Sequence, residues 1–150
     1  MPKITKEKFK TEHNVFDDFT NRTIFKLISE GHFEGLESTI SLGKEANIFT
    51  ALTKDGEKVI VKIYRLQTCN FNKMFDYIKT DPRYMNLKKQ RRKIIFAWTL
   101  REFRNLLKFR EIVNVPRPIT VLDNIIVMEM IGRDEPAPQL KDSRPDDKEE

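Results

Sequence analysis

The run Val59–Tyr64, with the sequence VIVKIY, constrains the fold of this 150-residue chain more than any other segment. Its β-branched and aromatic residues are typical of a strand. Asp55-Gly56 comes shortly before it, and this dipeptide between two apolar runs indicates a tight hairpin turn. Two further strands are predicted over Ser38–Leu42 and Asn47–Leu52, with a turn at Gly43–Ala46 between them. The sequence therefore predicts three strands joined by short turns in an antiparallel meander.

Helical periodicity lies on both sides of this meander. Apolar residues recur at helical spacing over Phe16–Glu30, and Gly31 supplies a signal for the end of that helix. The segment Lys89–Ile112 has the pattern of one long helix, which Pro116 and Pro118 prevent from continuing. The predicted order so far is one short helix, three strands and one long helix.

Two more strands are predicted over Arg117–Leu122 and Ile125–Ile131, around a tight turn at Asp123-Asn124. We expect an α+β domain in which the long helix lies against a five-stranded antiparallel sheet, preceded by the short N-terminal helix.

The composition of the chain argues against a membrane-spanning or a secreted protein. The chain has no stretch near the roughly 20 consecutive apolar residues that a membrane span needs, and its N-terminus lacks the apolar core of a secretory signal. A single cysteine, Cys69, excludes an internal disulfide and favours a reducing compartment. We therefore expect a cytoplasmic protein with no membrane partner.

The positive charge is concentrated in one segment. Between Arg65 and Lys93 there are nine Lys and Arg residues against two Asp, within a chain of formal net charge +5. Asp81-Pro82 should break any long helix there. Aromatic residues occur nearby, so one interpretation is a module that binds RNA or the ribosome through this segment. A solvated start of the long helix, with the aromatic side chains in the core, explains the same pattern.

The long helix contains one charge in an unexpected place. One arc of the helix is polar and should face solvent; it consists of Arg101, Arg104, Lys108 and Glu111. The opposite, apolar arc should face the sheet and consists of Ile95, Trp98, Leu106 and Phe109. Glu102 falls in the middle of the apolar arc. A carboxylate buried without a partner costs several kcal/mol, so a cation should meet it.

Lys62 is a candidate for that cation, because it interrupts the apolar run of the third strand. Taken singly, Lys62 could point to solvent and Glu102 could lie at a frayed edge. Taken together, they favour an ion pair between helix and sheet. Such a pair can direct a lysine ammonium group towards phosphate oxygens, as in enzymes of phosphoryl transfer.

Two other segments suit a nucleotide. The turn residues 41–47, SLGKEAN, lie where backbone N–H groups could surround a phosphate. The Walker spacing is absent, however, and an ordinary turn explains the same residues. The strand and its exit over Ile125–Gly132 could form an adenine slot or simply a buried strand.

In their order along the chain, these motifs resemble the RIO protein kinase family, with the compact archaeal form of its type-1 branch most similar. The resemblance runs from about Val15 to Lys141. It rests on SLGKEANIF from Ser41, VKIY from Val61, WxxxEFRNL from Trp98, VMEMIG from Val127 and PAPxL from Pro136. The resemblance implies the N-terminal lobe of an atypical serine/threonine protein kinase that uses ATP and Mg²⁺, acting as a phosphotransferase or as an ATPase.

The resemblance also implies roles for single residues on the phosphate side. Lys62 would bind the α- and β-phosphates and be held by Glu102, as the catalytic pair. Ser41 and the turn backbone would contact the phosphates; the turn residues concerned are Gly43, Lys44, Glu45 and Ala46. Leu42 stands where the family usually has a threonine, so one hydroxyl contact is lost there.

On the adenine side, the resemblance makes Met128 the gatekeeper. The Glu129 carbonyl and the Ile131 N–H would form the adenine hydrogen bonds. No His-x-Asp motif and no metal-binding Asp motif follows Ile131, so no metal ligand is predicted in this chain and the Mg²⁺ ligands are expected in a C-terminal lobe. Without that lobe and its catalytic Asp, we expect the 150-residue chain to be inactive.

The implied organisation has three parts. Residues 1–35 form an N-terminal helical extension, residues 36–132 the kinase-like N-lobe and residues 133–150 the hinge exit with the truncated start of a C-lobe. Residues 65–93 correspond to a flexible basic loop and the helix start, with Thr80 as a possible site of autophosphorylation. The implied partners are ATP, a protein substrate or the kinase itself, and the pre-ribosomal small subunit or its rRNA during maturation.

Overall fold

The structure, a computed structural model, describes residues 16–143. Residues 1–15 of the predicted N-terminal extension and residues 144–150 of the predicted hinge exit lie outside this range. Helix α1 spans Asp18–Ser29 and begins at Asp17, whose carboxylate accepts a hydrogen bond of 2.7 Å from the Thr20 N–H. Gly31 follows its end at a φ of 84°, so the predicted short helix is confirmed.

The strands form one antiparallel sheet in the order β1-β2-β3-β5-β4. Their bounds are Gly35–Leu42 for β1, Ala46–Leu52 for β2, Lys58–Tyr64 for β3, Pro118–Leu122 for β4 and Ile125–Glu129 for β5. The predicted α+β fold with five antiparallel strands is confirmed.

Two strand boundaries differ from the prediction by more than one residue. Strand β1 begins at Gly35 rather than Ser38, because a register shift between Leu36 and Ser38 interrupts the alternation that marks a strand in sequence. Strand β5 ends at Glu129 rather than Ile131, because the chain turns away from the sheet after Glu129.

The sheet has a helix on each face. Val61 and Ile63 of β3 belong to a buried cluster with Ile24 and Leu27 of α1. Alternate residues of β3 point to the opposite face, where Tyr64 is part of a second cluster. This second cluster includes residues of the long helix. The side chains of β3 on this face therefore lie between the sheet and that helix.

The long helix, here called α3, spans Arg91–Phe109 and is buried mainly in its first half, at Ile94, Ile95 and Thr99. The predicted apolar arc extends too far, because Phe109 is 53% exposed beyond the edge of the second cluster. The predicted polar arc is also wrong at Arg101, which is half-buried and bonded to Asp81.

A further helix, named α2, spans Phe71–Ile78 inside the basic segment and was not predicted. Its N-terminal Asn70 side chain accepts a hydrogen bond from the Lys73 N–H, and Met74 and Ile78 are buried. It ends before Asp81-Pro82, where a short 3-10 turn over Pro82–Tyr84 follows. Within residues 16–143, no helix combines the length and the hydropathy that crossing a bilayer requires.

Candidate functional site

The strand register brings the predicted site residues of the sheet to one face. Ser41 lies directly opposite Ile48, which lies opposite Lys62, which in turn lies opposite Ile126. Directly opposed residues of antiparallel strands point to the same face. Met128 is two residues beyond Ile126 on β5 and therefore presents its side chain to this face as well. The face is the one that α3 partly covers.

Lys62 and Glu102 form the ion pair that the sequence predicts. The Lys62 Nζ atom lies 2.8 Å from Glu102 Oε1, and the two side chains are 23% and 26% exposed. The pair joins the middle of the sheet to the middle of α3. Because neither charge is fully hydrated, removing one partner would destabilise the protein more than it would in an exposed ion pair.

Tyr64 binds the second oxygen of the Glu102 carboxylate. Its hydroxyl donates a hydrogen bond to Glu102 Oε2, and the Lys62 ammonium lies 5.0 Å from the centre of its ring. Burial, together with the negative charge of Glu102, raises the pKa of Tyr64 far above its usual value. The phenol therefore stays protonated and remains a donor, so both oxygens of Glu102 are engaged.

Sequence reasoning assigned no role to Tyr64. A usable signal was present, since Tyr64 follows Lys62 by two residues and must share its face of the strand. The distance to Glu102, in contrast, depends on how α3 is placed over the sheet, and the sequence pattern does not give that placement.

An open cleft of about 380 Å³ lies beside the ion pair. Two residues of β3 and six of α3 line it, and they combine charged or polar groups with large apolar or aromatic side chains. Its lining residues are Lys62, Tyr64, Trp98, Arg101, Glu102, Asn105, Leu106 and Phe109. The cleft thus brings the Lys62 ammonium group together with large apolar side chains.

Asp81 contacts Arg101, one of the residues that line this cleft. Its carboxylate accepts hydrogen bonds from Arg83, at 2.7 Å, and from Arg101, at 3.2 Å. The hydrogen bonds from Arg83, more than any other cause, lower the pKa of Asp81 well below its usual range. Asp81 stays ionised and ties the middle of the basic segment to the middle of α3.

The turn between β1 and β2 is tight. The Gly43 N–H donates a 3.0 Å hydrogen bond to the Ala46 carbonyl, and a Cβ atom at Gly43 would lie 2.9 Å from that same oxygen. A side chain at this position would therefore clash with the backbone. Within residues 16–143, the N–H groups of Lys44 and Glu45 donate no hydrogen bond.

The chain also turns sharply after β5. The Glu129 N–H donates to the Arg117 carbonyl at 2.8 Å, and the Ala137 N–H donates to the Ile131 carbonyl at 2.7 Å. Gly132 has a φ of 136°, and a Cβ atom there would lie 2.1 Å from the Glu135 carbonyl oxygen. The Ile131 N–H finds no acceptor in the described part of the chain.

The site is spread over two ends of one sheet. The ion pair and the turn at residues 43–46 lie towards the Tyr64 end of β3, since Ala46 pairs with Tyr64. Glu129 lies at the other end, opposite Val59. The structure describes no group of three or more His, Cys, Asp or Glu side chains in residues 16–143 that could hold a metal ion.

A five-stranded antiparallel sheet, a single long helix across it and a lysine–glutamate pair between the two define a protein-kinase-like N-terminal lobe. The sequence profile of the RIO domain matches residues 47–150. The chain belongs to the RIO domain family, which confirms the resemblance found in its motifs.

The matching relatives are named as kinases. The RIO-type serine/threonine-protein kinase Rio1 of Haloferax volcanii is 43% identical over 127 residues, which are 84% of this chain and 44% of that protein. The protein of the same name from Methanocaldococcus jannaschii is 42% identical over 91% of this chain and 47% of its own length. The chain thus spans less than half the length of these curated relatives.

A solved structure supports the fold. The crystal structure of the Rio2 kinase–ADP/Mg²⁺-phosphoaspartate complex from Chaetomium thermophilum matches with a TM-score of 0.55 at 22% identity, over 73% of this chain and 31% of that chain. At this identity the likeness supports the fold alone.

Proposed function

We propose that this chain is the ATP-binding N-lobe of a RIO-type serine/threonine protein kinase. The observation that carries the proposal is the Lys62–Glu102 pair, whose carboxylate has both oxygens engaged. An ammonium group held in this way is directed rather than free, as the α- and β-phosphates of a bound nucleotide require. Glu102 would position Lys62, and Lys62 would contact the phosphate oxygens.

The dimensions of the sheet suit a nucleotide laid along β3. Lys62 and Val59 are three residues apart, which is about 10 Å along a strand. The phosphates would lie near Lys62, Ser41 and the N–H groups of the 43–46 turn, and the adenine would lie near Met128. Glu129 and Ile131 would supply the carbonyl and the N–H that hydrogen-bond the adenine edge, since the Ile131 N–H has no acceptor among the described residues.

Mg²⁺ would accompany the ATP and offset the charge of its phosphates. No set of carboxylates suited to the metal lies within residues 16–143, so these residues would hold the nucleotide rather than the ion. We propose that transfer to a serine or threonine, of a substrate protein or of the kinase itself, needs a C-terminal lobe that supplies the catalytic Asp. A cytoplasmic role in maturation of the small ribosomal subunit is part of the same proposal.

The test is a nucleotide titration by calorimetry, on the 150-residue chain and on a form completed by a C-terminal kinase lobe. We expect ATP binding in the completed form and a loss of at least about tenfold in affinity for Lys62→Ala, since a charge-assisted contact is worth about 1.5–3 kcal/mol. Lys54→Ala is the matched control, because Lys54 is an exposed lysine in the turn before β3. ATP binding that survives Lys62→Ala would refute the proposal.

A second candidate function is RNA or ribosome binding through residues 65–93. The cations at the start of α3 are exposed, and two of them cover aromatic rings: Arg91 lies 4.4 Å from the Phe71 ring centre and Arg92 lies 4.7 Å from that of Phe19. The rings are thus less open for base stacking, which favours contacts with phosphates. RNA affinity should then fall steeply with salt and be unchanged in Lys62→Ala; salt-independent binding would count against this candidate.

A further inference from the structure

Residues 65–69, which follow β3 directly and are here called the brace, donate hydrogen bonds to three successive carbonyls of the 43–46 turn. The Arg65 side chain donates to the Gly43 carbonyl at 3.3 Å, and the Thr68 hydroxyl donates to the Lys44 carbonyl. The Glu45 carbonyl accepts two bonds, from the Arg65 N–H at 2.8 Å and from the Cys69 Sγ atom at 2.9 Å.

We infer that Thr68 and Cys69 are positioning residues for the phosphate-binding turn. This inference rests on the proposed function. A trans peptide group is planar and its C=O and N–H point in opposite directions. Bonds that hold the Gly43 and Lys44 carbonyls towards the brace therefore direct the N–H groups of Lys44 and Glu45 away from it. The bond from Cys69 to the Glu45 carbonyl fixes the next peptide group, which joins the turn to β2. Successive free N–H groups of this kind form a concave site for an anion.

The brace is itself held in place. The Cys69 N–H donates to the Arg65 carbonyl at 3.2 Å, and the Arg91 guanidinium donates to the carbonyls of Cys69, at 3.1 Å, and Gln67, at 3.4 Å. Arg91 is the first residue of α3, so the brace connects the turn to the helix that carries Glu102.

Cys69 is suited to a permanent donor role. Its side chain is almost completely buried, and burial raises the pKa of its thiol to about 11. The thiol therefore keeps its proton at neutral pH and continues to face the Glu45 carbonyl. Thr68, in contrast, is exposed, so its hydroxyl can be removed without opening the core.

A positioning role predicts a split between two ligands. ATP has phosphates that the turn would contact, whereas adenosine has none. We expect Thr68→Val and Cys69→Ala each to weaken ATP binding by about 3–10-fold, the effect of one lost hydrogen bond, and to leave adenosine binding unchanged. Cys69→Ser retains a donor and should restore most of the ATP affinity.

The experiment measures dissociation constants for ATP and adenosine in the form completed by a C-terminal lobe, with a thermal melt of each variant. Ser29→Ala is the control, since its hydroxyl also donates to a carbonyl, that of Phe25 at 2.8 Å, but on helix α1. Equal losses for the two ligands, or no loss in Thr68→Val while Lys62→Ala abolishes ATP binding, would overturn the inference alone. A wild-type protein that binds no ATP would overturn the proposed function and the inference with it.

Discussion

Replacing Glu102 by glutamine tests the central contact of the site with the smallest change in shape. The carboxylate accepts from Lys62 on one oxygen and from Tyr64 on the other. A glutamine amide has one acceptor oxygen and one NH₂ donor group, so either Lys62 or Tyr64 would then face another donor. The variant removes the charge and leaves one of the two donors without its acceptor.

The expected loss in the free energy of unfolding follows from the exposure of the Lys62–Glu102 pair. Exposed ion pairs contribute about 0–1 kcal/mol, and breaking a fully buried one costs about 3–5 kcal/mol. With side chains 23% and 26% exposed, Lys62 and Glu102 lie between these limits, and we expect a loss of about 2 kcal/mol. For a domain of this size, that is a fall of about 6–8 °C in Tm.

The assay is thermal unfolding followed by circular dichroism, together with an ATP titration. Glu111→Gln is the matched control, because Glu111 is exposed just after the end of α3. We expect Glu102→Gln to lower both the Tm and the ATP affinity, with Glu111→Gln close to wild type. Equal Tm and equal ATP affinity in the two variants would show that the pair does not hold Lys62 for a ligand.

Three further predictions concern single residues near the site. Tyr64→Phe keeps the ring but removes the donor to Glu102, so the free energy of unfolding in urea should fall by about 1 kcal/mol; an unchanged value would mean that the hydroxyl bond contributes nothing. Gly132→Ala should lower the Tm more than Gly31→Ala, because both glycines have positive φ but only at Gly132 does the added Cβ meet backbone atoms; the reverse order would contradict the turn geometry. The pKa of the Cys69 thiol is raised to about 11 in the folded state, against 9.0 in the unfolded chain. The contribution of the protonated thiol to the free energy of unfolding is therefore fully present below pH 9 and is lost as the pH rises towards 11. Urea unfolding of Cys69→Ala should therefore show a shallower loss of stability over that interval than wild type, and parallel curves would exclude the effect.

The pairing of Lys62 with Glu102 was predictable because each charge interrupts an otherwise apolar pattern. A charged residue within an apolar pattern can be recognised in the sequence. Two such residues of opposite charge are natural candidates for an ion pair, because each would otherwise be buried without a partner. The element order was predictable for a similar reason, since strand and helix periods differ clearly and Asp55-Gly56 marks the turn.

Other features needed three-dimensional information. Helix α2 has apolar residues at helical spacing, at Phe71, Met74, Phe75 and Ile78, but the surrounding charge concealed that pattern. The exposure of Phe109 depends on where the second cluster ends, and periodicity along a helix gives no such limit. The hydrogen bonds of the brace join it to backbone carbonyls some twenty residues away. Every residue has a backbone carbonyl, so the sequence does not show which of them accept such bonds.

Helix α3 is buried mainly in its first half, with Ile95 fully buried and Phe109 53% exposed. Glu102 lies seven residues past Ile95, or about 10 Å along the axis, so a tilt of about 10° around Ile95 would shift it by about 2 Å. Such a shift is comparable with the 2.8 Å separation of Lys62 Nζ from Glu102 Oε1. A tilt of α3 by this amount would therefore be enough to separate the Glu102 carboxylate from the Lys62 ammonium group.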